Sequence, residues 1–370
     1  MVPLIWNLFN KYNCIWLIFG AFASTAILKG LPLSLTPLIN SANAFVQIEK
    51  LTNTEGTLLA NIGRAIIQKS HLDRLTRLSK VLDKKLNPKE GYLDLTSRNA
   101  HYFYFDRKPL IPIAAAYNMP SPIQQKDAIK RLKNNLPRLA LLEAENSFGD
   151  SGGFALRNFE LYRFIIENYE PFKIDGFIIA LSKSSINRGD WGNISNPSLE
   201  ERIELFEQAF SKKNMNYEKI PISWGRSIDS LSLKMETRLD SHSIKNSLNH
   251  DVEIQKNNNY KVVGNNPSIT FNFKGTLLSG DKAGILKYDF ACISQPQDTK
   301  FQIYWRKFED YFNEENSLFF TGANGTLLVP LDSFPKWYLL RDIVEIKLRL
   351  LNSESCQEFS VKNISFNQRK

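Results

Sequence analysis

The sequence predicts three parts in chain order: a transmembrane helix, a small parallel α/β domain and a C-terminal antiparallel β-sandwich. Residues 14–28, "CIWLIFGAFASTAIL", form an uncharged apolar run. Between 91 and 212, apolar strand-like segments alternate with amphipathic helix-like ones. Beyond 263 the apolar period shortens to two, and Gly, Pro and Asn separate the segments.

The apolar run is bounded by Lys11 and Lys29, and Tyr12, Asn13, Gly30 and Leu31 extend it to 12–31. A spanning helix takes ~20 mostly apolar residues. Residues 1–31 are therefore expected to anchor the chain in a membrane, with Trp6 and Trp16 near an interface. The cleavage-like "SANA" at 41–44 lies well beyond the run, which favours a retained anchor. Residues 32–60 read as a linker leaving the membrane.

Residues 61–235 are expected to be the α/β domain. Leu72, Leu75, Leu78 and Leu82 recur at helical spacing in a basic amphipathic helix that precedes its first strand. "YLDLT" (92–96), "RLALLEAE" (138–145) and "DGFIIALSK" (175–183) read as strands. Helices are expected over 122–135, with Ile123, Ala128, Ile129 and Leu132 inward, over 154–169, stopped by Pro171, and over 198–212. Strands buried on both faces and separated by helices imply a parallel sheet. Residues 236–262, rich in Asn, Ser, His and Lys, read as a linker. In 263–370, seven alternating segments, 268–275, 284–293, 301–308, 317–322, 326–332, 343–351 and 358–366, predict the sandwich.

The chain has 370 residues, 43% hydrophobic and 12% aromatic, which excludes global disorder. Its formal charge of +9 is thinly spread, without an Arg-rich arm or zinc spacing, so no nucleic-acid partner, metal or cofactor is expected. Of Cys14, Cys292 and Cys356, the last two either form one bridge, if the sandwich is extracytoplasmic, or stay as two half-buried thiols.

Two constellations are candidates for ligand binding. In open parallel sheets, ligands sit beyond the carboxyl ends of strands. That rule places Asp94, Thr96, Arg98, Asn99 and His101 on a rim after the first strand, and Glu143, Asn146 and Asp150 after the second. Gly152 and Gly153 in "GDSGGF" permit close backbone approach to a ligand, with Arg157 one turn into the helix. Asp94 and Glu143 also qualify as a carboxylate pair for glycoside cleavage, with His101 as proton carrier. Acids at strand ends equally serve as structural hydrogen-bond partners. The second constellation lies on the sandwich: Tyr304, Trp305, Arg306, Glu314, Glu315, Trp337 and Arg349. Flat rings suit sugar CH groups and charged groups suit hydroxyls; core packing of Trp305 and Trp337 is the competing role.

The stretch from "HLDRLTRLSKVLDKK" through "GYLDLTSRNAHYFYFDRKP" to "RLALLEA", with "FALRNFELYRFIIENYEP" and "ISWGRSIDSL", resembles the soluble C-terminal region of bacterial multi-spanning membrane proteins. Those are related to C-type, dolichyl-phosphate-mannose-like glycosyltransferases. The end of the chain, with "QIYWR", "FNEENSLFF" and "LLVPLDSFPKWYLLRDIVEIKLRLL", is similar to jelly-roll, carbohydrate-binding-like domains that close some of them. The transferases place their catalytic acids in a loop of a many-span bundle that this sequence lacks, so no catalytic residue carries over.

The resemblance implies a membrane-anchored, periplasmic carbohydrate-recognition module of the bacterial cell envelope. It would support surface-glycan assembly, with a sugar chain, a lipid-linked sugar or a multi-spanning glycosyltransferase as partner. Two alternatives stay open: a sugar-active enzyme at the α/β strand ends, by glycosyl transfer or hydrolysis, and a protein-docking subunit of a membrane glycosyltransferase.

Overall fold

A computed structural model describes residues 51–369 except 56, 58, 64, 97, 99, 114, 143–153, 211–232, 239–248, 256–258, 274–276 and 295–298. The expected anchor lies outside the described residues. Among those described, no helix is long and apolar enough to cross a membrane. The chain divides into two compact units, Met1–Arg77 and Leu78–Lys370.

In the first unit, β1 (Leu51–Asn53) pairs antiparallel with β2 (Ile66–Gln68), Leu51 opposite Gln68 and Asn53 opposite Ile66. The end of the expected linker is thus paired strand. Helix α1 spans Lys69–Lys85, and its Leu72, Leu75, Leu78 and Leu82 are all buried.

The second unit opens with β3 (Leu93–Asp94), α2 (Ala100–Tyr104), α3 (Pro122–Asn134) and β4 (Leu139–Leu141). Then come α4 (Phe154–Arg157), α5 (Phe159–Asn168), β5 (Tyr169–Ile174), β6 (Phe177–Ser182), α6 (Lys183–Asn187) and α7 (Leu199–Phe210). The sheet order is β3-β4-β6-β5. Only β3 and β4 run parallel; β4–β6 and β5–β6 are antiparallel, so the expected parallel sheet is a mixed one. The reason is a tight hairpin. Ile174 pairs with Phe177 across Asp175 and Gly176, which have φ of 50° and 84°. Positive φ at both central residues is the type I′ condition, and Asp-Gly meets it at small steric cost. As expected, the helical segment ends ahead of Pro171, at Asn168. Pro171 itself sits in the edge strand β5, where a missing N–H is tolerated.

Both faces of this sheet are covered, which explains its continuous apolar runs. Leu78, Val81 and Leu82 cluster with Leu139, Leu141, Phe177, Ile179 and Leu181. On the other side Leu93, Ala140 and Ala180 meet Ala128, Leu132, Leu161, Tyr162, Ile165, Phe206 and Phe210. Ile123, expected inward, is exposed, because it falls off the Ala128–Leu132 stripe.

The remaining strands are β7 (Leu233–Arg238), β8 (Val252–Ile254), β9 (Asn259–Val262), β10 (Ser268–Asn272), β11 (Ile285–Cys292) and β12 (Thr299–Lys307). They continue as β13 (Ser317–Gly322), β14 (Gly325–Pro330), helix α8 (Pro335–Tyr338), β15 (Ile343–Leu350) and β16 (Glu358–Arg369). Two antiparallel sheets result, β10-β15-β12-β13 and β14-β11-β16-β9-β8, with β7 also on β16. Residues 236–262, read from composition as a linker, therefore supply β8, β9 and part of β7. Their polar side chains do not prevent strand pairing through the backbone. Inward Ile269, Phe271, Phe301, Ile303, Ile346 and Leu348 meet Leu286, Tyr288, Phe290, Val361, Ile364 and Phe366 in one core. Cys292 and Cys356 are bridged, 64 residues apart. Closing a loop of that length removes chain entropy worth about 4 kcal/mol from the unfolded state. The open question between bridge and free thiols resolves as the bridge.

The sandwich and the mixed sheet share contacts. Tyr338 and Leu339 join the core of the mixed sheet, and Tyr338 Oη donates to Glu167 Oε1 at 2.7 Å. The Arg369 guanidinium lies 3.7 Å over the Phe159 ring.

Candidate functional site

The strand-end constellation is largely closed. Asp94 and His101 are each 1% exposed, with His101 Nδ1 2.7 Å from Asp94 Oδ2. Asp94 Oδ1 accepts from the Thr96 backbone N–H at 2.8 Å and the Thr96 hydroxyl at 2.6 Å. The Tyr92 hydroxyl donates to Oδ2 at 3.4 Å, while Tyr102 Oη accepts from the Asp94 backbone N–H at 2.9 Å. Burial pushes both phenols up, and the Asp94 charge pushes them further, so both stay neutral. The expected open rim is therefore corrected: α2 folds back immediately after β3 and turns His101 and Tyr102 inward, onto Asp94. Wrapped by four groups, Asp94 is not placed to attack a sugar. Arg98 and Arg157 are half-buried. Asn99, Glu143, Asn146, Asp150, Gly152 and Gly153 lie outside the described residues. Asp94→Ala strips the partners from Thr96 and His101 at once. Its expected cost is about 2–4 kcal/mol of stability, read by urea unfolding.

Two residues of the sandwich constellation are also corrected. Trp305 and Trp337 are 0% exposed and meet edge to face at 5.3 Å. In "FQIYWRK" the period of two puts Trp305 on the same face as Phe301 and Ile303, in the core. Neither indole presents a face to a sugar.

Tyr304, Arg306, Glu314 and Arg349 of that constellation meet on the outer face of β10-β15-β12-β13, whereas Glu315 stands beside Lys336, whose Nζ donates to its carbonyl at 3.1 Å. Directly opposed residues in antiparallel strands share a face. Ser268, Arg349, Gln302 and Phe319 form one row across the four strands; Thr270, Lys347, Tyr304 and Ser317 form the next; Asn272, Glu345 and Arg306 form a third. The expected Arg306 lies in this third row, where its Nε donates to Glu345 Oε2 at 2.6 Å; Asn272 Nδ2 donates to Oε1 of the same carboxylate at 2.5 Å.

The loop 308–316 folds beside this face. Its Glu314 accepts from Tyr304 Oη at 2.7 Å and from the Gln302 amide at 2.6 Å. The Tyr304 bond holds the Glu314 carboxyl below its usual range. Loss of water around the Tyr304 phenol, with Glu314 beside it, moves that group up. Arg349 donates to Tyr304 Oη at 3.3 Å and to Asn266 Oδ1. Lys347 Nζ stands 4.3 Å from the Tyr304 ring centre and 4.7 Å from that of Phe312.

A groove of about 400 Å³ runs along the face, lined by His250, Asn266, Ser268, Thr270, Phe312, Lys347 and Arg349. The same loop carries Phe308 and Tyr311, both exposed, Tyr311 at 87%. Tyr304, Arg306, Glu314 and Arg349 were legible as candidates; Lys347, Phe312, His250, Ser268 and Thr270 were not. The available signal was alternation: Glu345, Lys347 and Arg349 occupy every second position of "VEIKLRL", opposite the core residues.

The arrangement offers rings with apolar faces, a carboxylate and an amide that accept, and guanidinium, ammonium and amide donors. Among the described residues, no group of three or more His, Cys, Asp or Glu is placed to hold a metal ion.

No protein-family model matches the chain, and no curated protein matches it. Among solved structures, it is similar to a family 11 carbohydrate-binding module from Clostridium thermocellum in complex with a β-1,3-1,4-mixed-linked tetrasaccharide. The identity is 15% over 38% of this chain and 98% of that one, at a TM-score of 0.26. A low-affinity xylan-binding module of family 86, from Roseburia intestinalis, matches at 8% identity over 37% of this chain and 89% of its own, TM-score 0.24. A mutant of a family 29 carbohydrate-binding module matches at 12% over 37% and 92%, TM-score 0.25. At such identities and scores the likeness carries no argument about function, which rests on the residues themselves.

Proposed function

We propose that the chain is a carbohydrate-recognition module and that the outer face of β10-β15-β12-β13 holds the sugar. One observation carries this reading: the groove brings the Phe312 ring, beside Tyr304, together with hydroxyl, amide and cationic groups of Ser268, Thr270, Asn266, Lys347 and Arg349. A sugar ring needs both kinds of surface, an apolar plane for its CH groups and polar atoms around its rim. The groove's volume falls within the range typical of small-ligand sites.

In this reading the module is a non-catalytic part of a glycosyltransferase-like system that assembles a surface glycan. It is anchored by residues 12–31 and faces the periplasm. The membrane contact rests on the length and apolarity of that run. The Cys292–Cys356 bridge supports an oxidising compartment. A lipid-linked sugar or a multi-spanning glycosyltransferase is the accompanying partner.

The test is a glycan-array screen of the full chain in detergent, followed by calorimetric titration of the best ligand. Phe312→Ala is expected to weaken binding about five- to tenfold, which is ~1–1.4 kcal/mol, without a change in unfolding midpoint. An empty array, or affinity indifferent to Phe312, would count against the assignment of this face.

A further inference from the structure

Resting on that reading, we infer that the groove selects an acidic sugar, one bearing a carboxylate or sulfate, over a neutral one. The charge of its walls is the starting point. Among the described residues, the ionisable groups lining it are His250, Lys347 and Arg349, with no carboxylate. The acids beside it are already engaged: Glu345, one row over from Lys347, holds Arg306 and Asn272. Glu314 holds Tyr304 and Gln302. Asp251 accepts from the Asn266 backbone N–H at 2.9 Å and lies 3.4 Å from His250 Nδ1.

The donors, by contrast, are underused. Lys347 Nζ faces two rings and has no hydrogen-bond or ion-pair partner among the described residues. Arg349 spends its terminal nitrogens on Tyr304 and Asn266, while its Nε is buried without a partner. The two cations occupy alternate positions of β15, on one face, and lean on the same Tyr304. Burial and the Arg349 charge move the Lys347 ammonium down from its usual range, and the Glu314 charge offsets them only in part. An anion seated between them relieves both effects, since an opposite charge favours the protonated lysine. A guanidinium also presents directional donors to a carboxylate or sulfate. A neutral sugar supplies neither relief. Lys347 is therefore placed to distinguish an acidic residue in a glycan, while the Phe312 ring supplies affinity without regard to charge.

Affinity electrophoresis of the full chain in detergent separates the outcomes. The probes are polygalacturonate, dextran sulfate, neutral dextran, neutral galactomannan and single-stranded oligo-dT. We expect retardation by at least one of the two acidic polysaccharides to be at least tenfold stronger than by either neutral one. Lys347→Ala should lose about tenfold, Lys347→Arg should restore most of it, and both variants should keep the wild-type unfolding midpoint. Polygalacturonate alone identifies the anion as carboxylate, dextran sulfate alone as sulfate; either supports the inference. Retardation by neutral polysaccharides as strong as by acidic ones, and unchanged in Lys347→Ala, overturns it but leaves carbohydrate recognition standing. Oligo-dT bound as tightly as the acidic polysaccharides, with the same dependence on Lys347, overturns sugar selectivity in favour of generic polyanion binding. No retardation by any polysaccharide overturns both this inference and the reading on which it rests.

Discussion

Asp332→Ala is expected to destabilise the protein by about 3–5 kcal/mol near neutral pH, measured by urea unfolding. Asp332 Oδ1 accepts from Arg369 Nη2 at 2.6 Å, with side chains 3% and 9% exposed. Removing the acid leaves a guanidinium in the interior with, among the described residues, the Ser333 hydroxyl at 3.0 Å and the Phe159 ring. Without that acceptor, and with a cavity beside it, the guanidinium is left with unmet donors in the interior. Asp332→Asn, the neutral isostere of the protonated acid, keeps an acceptor for Arg369 and should cost little or nothing near neutral pH.

The same site sets a pH dependence of unusual sign. Burial raises the Asp332 carboxyl to about 6, against the opposing pull of Arg369. Its folded value thus lies above the unfolded one of 3.8. A group shifted this way contributes stability that is present below about pH 4 and is lost as pH rises through about 6. The difference is on the order of 3 kcal/mol. Subtracting the Asp332→Asn profile from wild type between about pH 4 and pH 7 should reveal it. A flat difference would remove the argument.

Trp337→Ala is expected to cost about 3–5 kcal/mol as well, through transfer and cavity terms together. The indole is fully buried, stacks on Phe366 at 6.0 Å, meets Trp305 edge to face, and donates Nε1–H to the Ala283 carbonyl at 3.1 Å. Its backbone oxygen would lie 1.9 Å from a Cβ built on Gly280, so the two backbones pass in close contact here. The folded fraction at low temperature should bind glycan as wild type does. A loss of binding with unchanged unfolding midpoint would restore the sugar-contact role and contradict the burial argument.

The expectations succeeded where one residue property settles the outcome. Each alternating segment beyond 263 became a strand because its apolar side faces one core, as Phe301, Ile303 and Trp305 do. The stripe of 154–169 became α4 and α5 for the same reason. Sheet polarity was not legible from alternation between strand and helix. It was decided by Asp175-Gly176, a hairpin signal that lay inside what read as the start of a strand. The strands in 236–262 were hidden because backbone pairing leaves little trace in a polar segment. For the site, aromatic character alone misassigned Trp305 and Trp337. The position of each residue in the two-residue period separates Tyr304 from Trp305, and the same rule recovers Lys347 and Arg349.

Strand β16 pairs with β11, β9 and β7, and so lies inside its sheet. During synthesis, β7 and β9 leave the ribosome about a hundred residues before the strand that joins them to β11. Until residues 358–369 emerge, those earlier strands wait with unmade pairings and open edges. The sandwich should therefore fold late and slowly, dependent on helpers that shield nascent chains, with interruptions of β16 more damaging than equal insertions in 308–316.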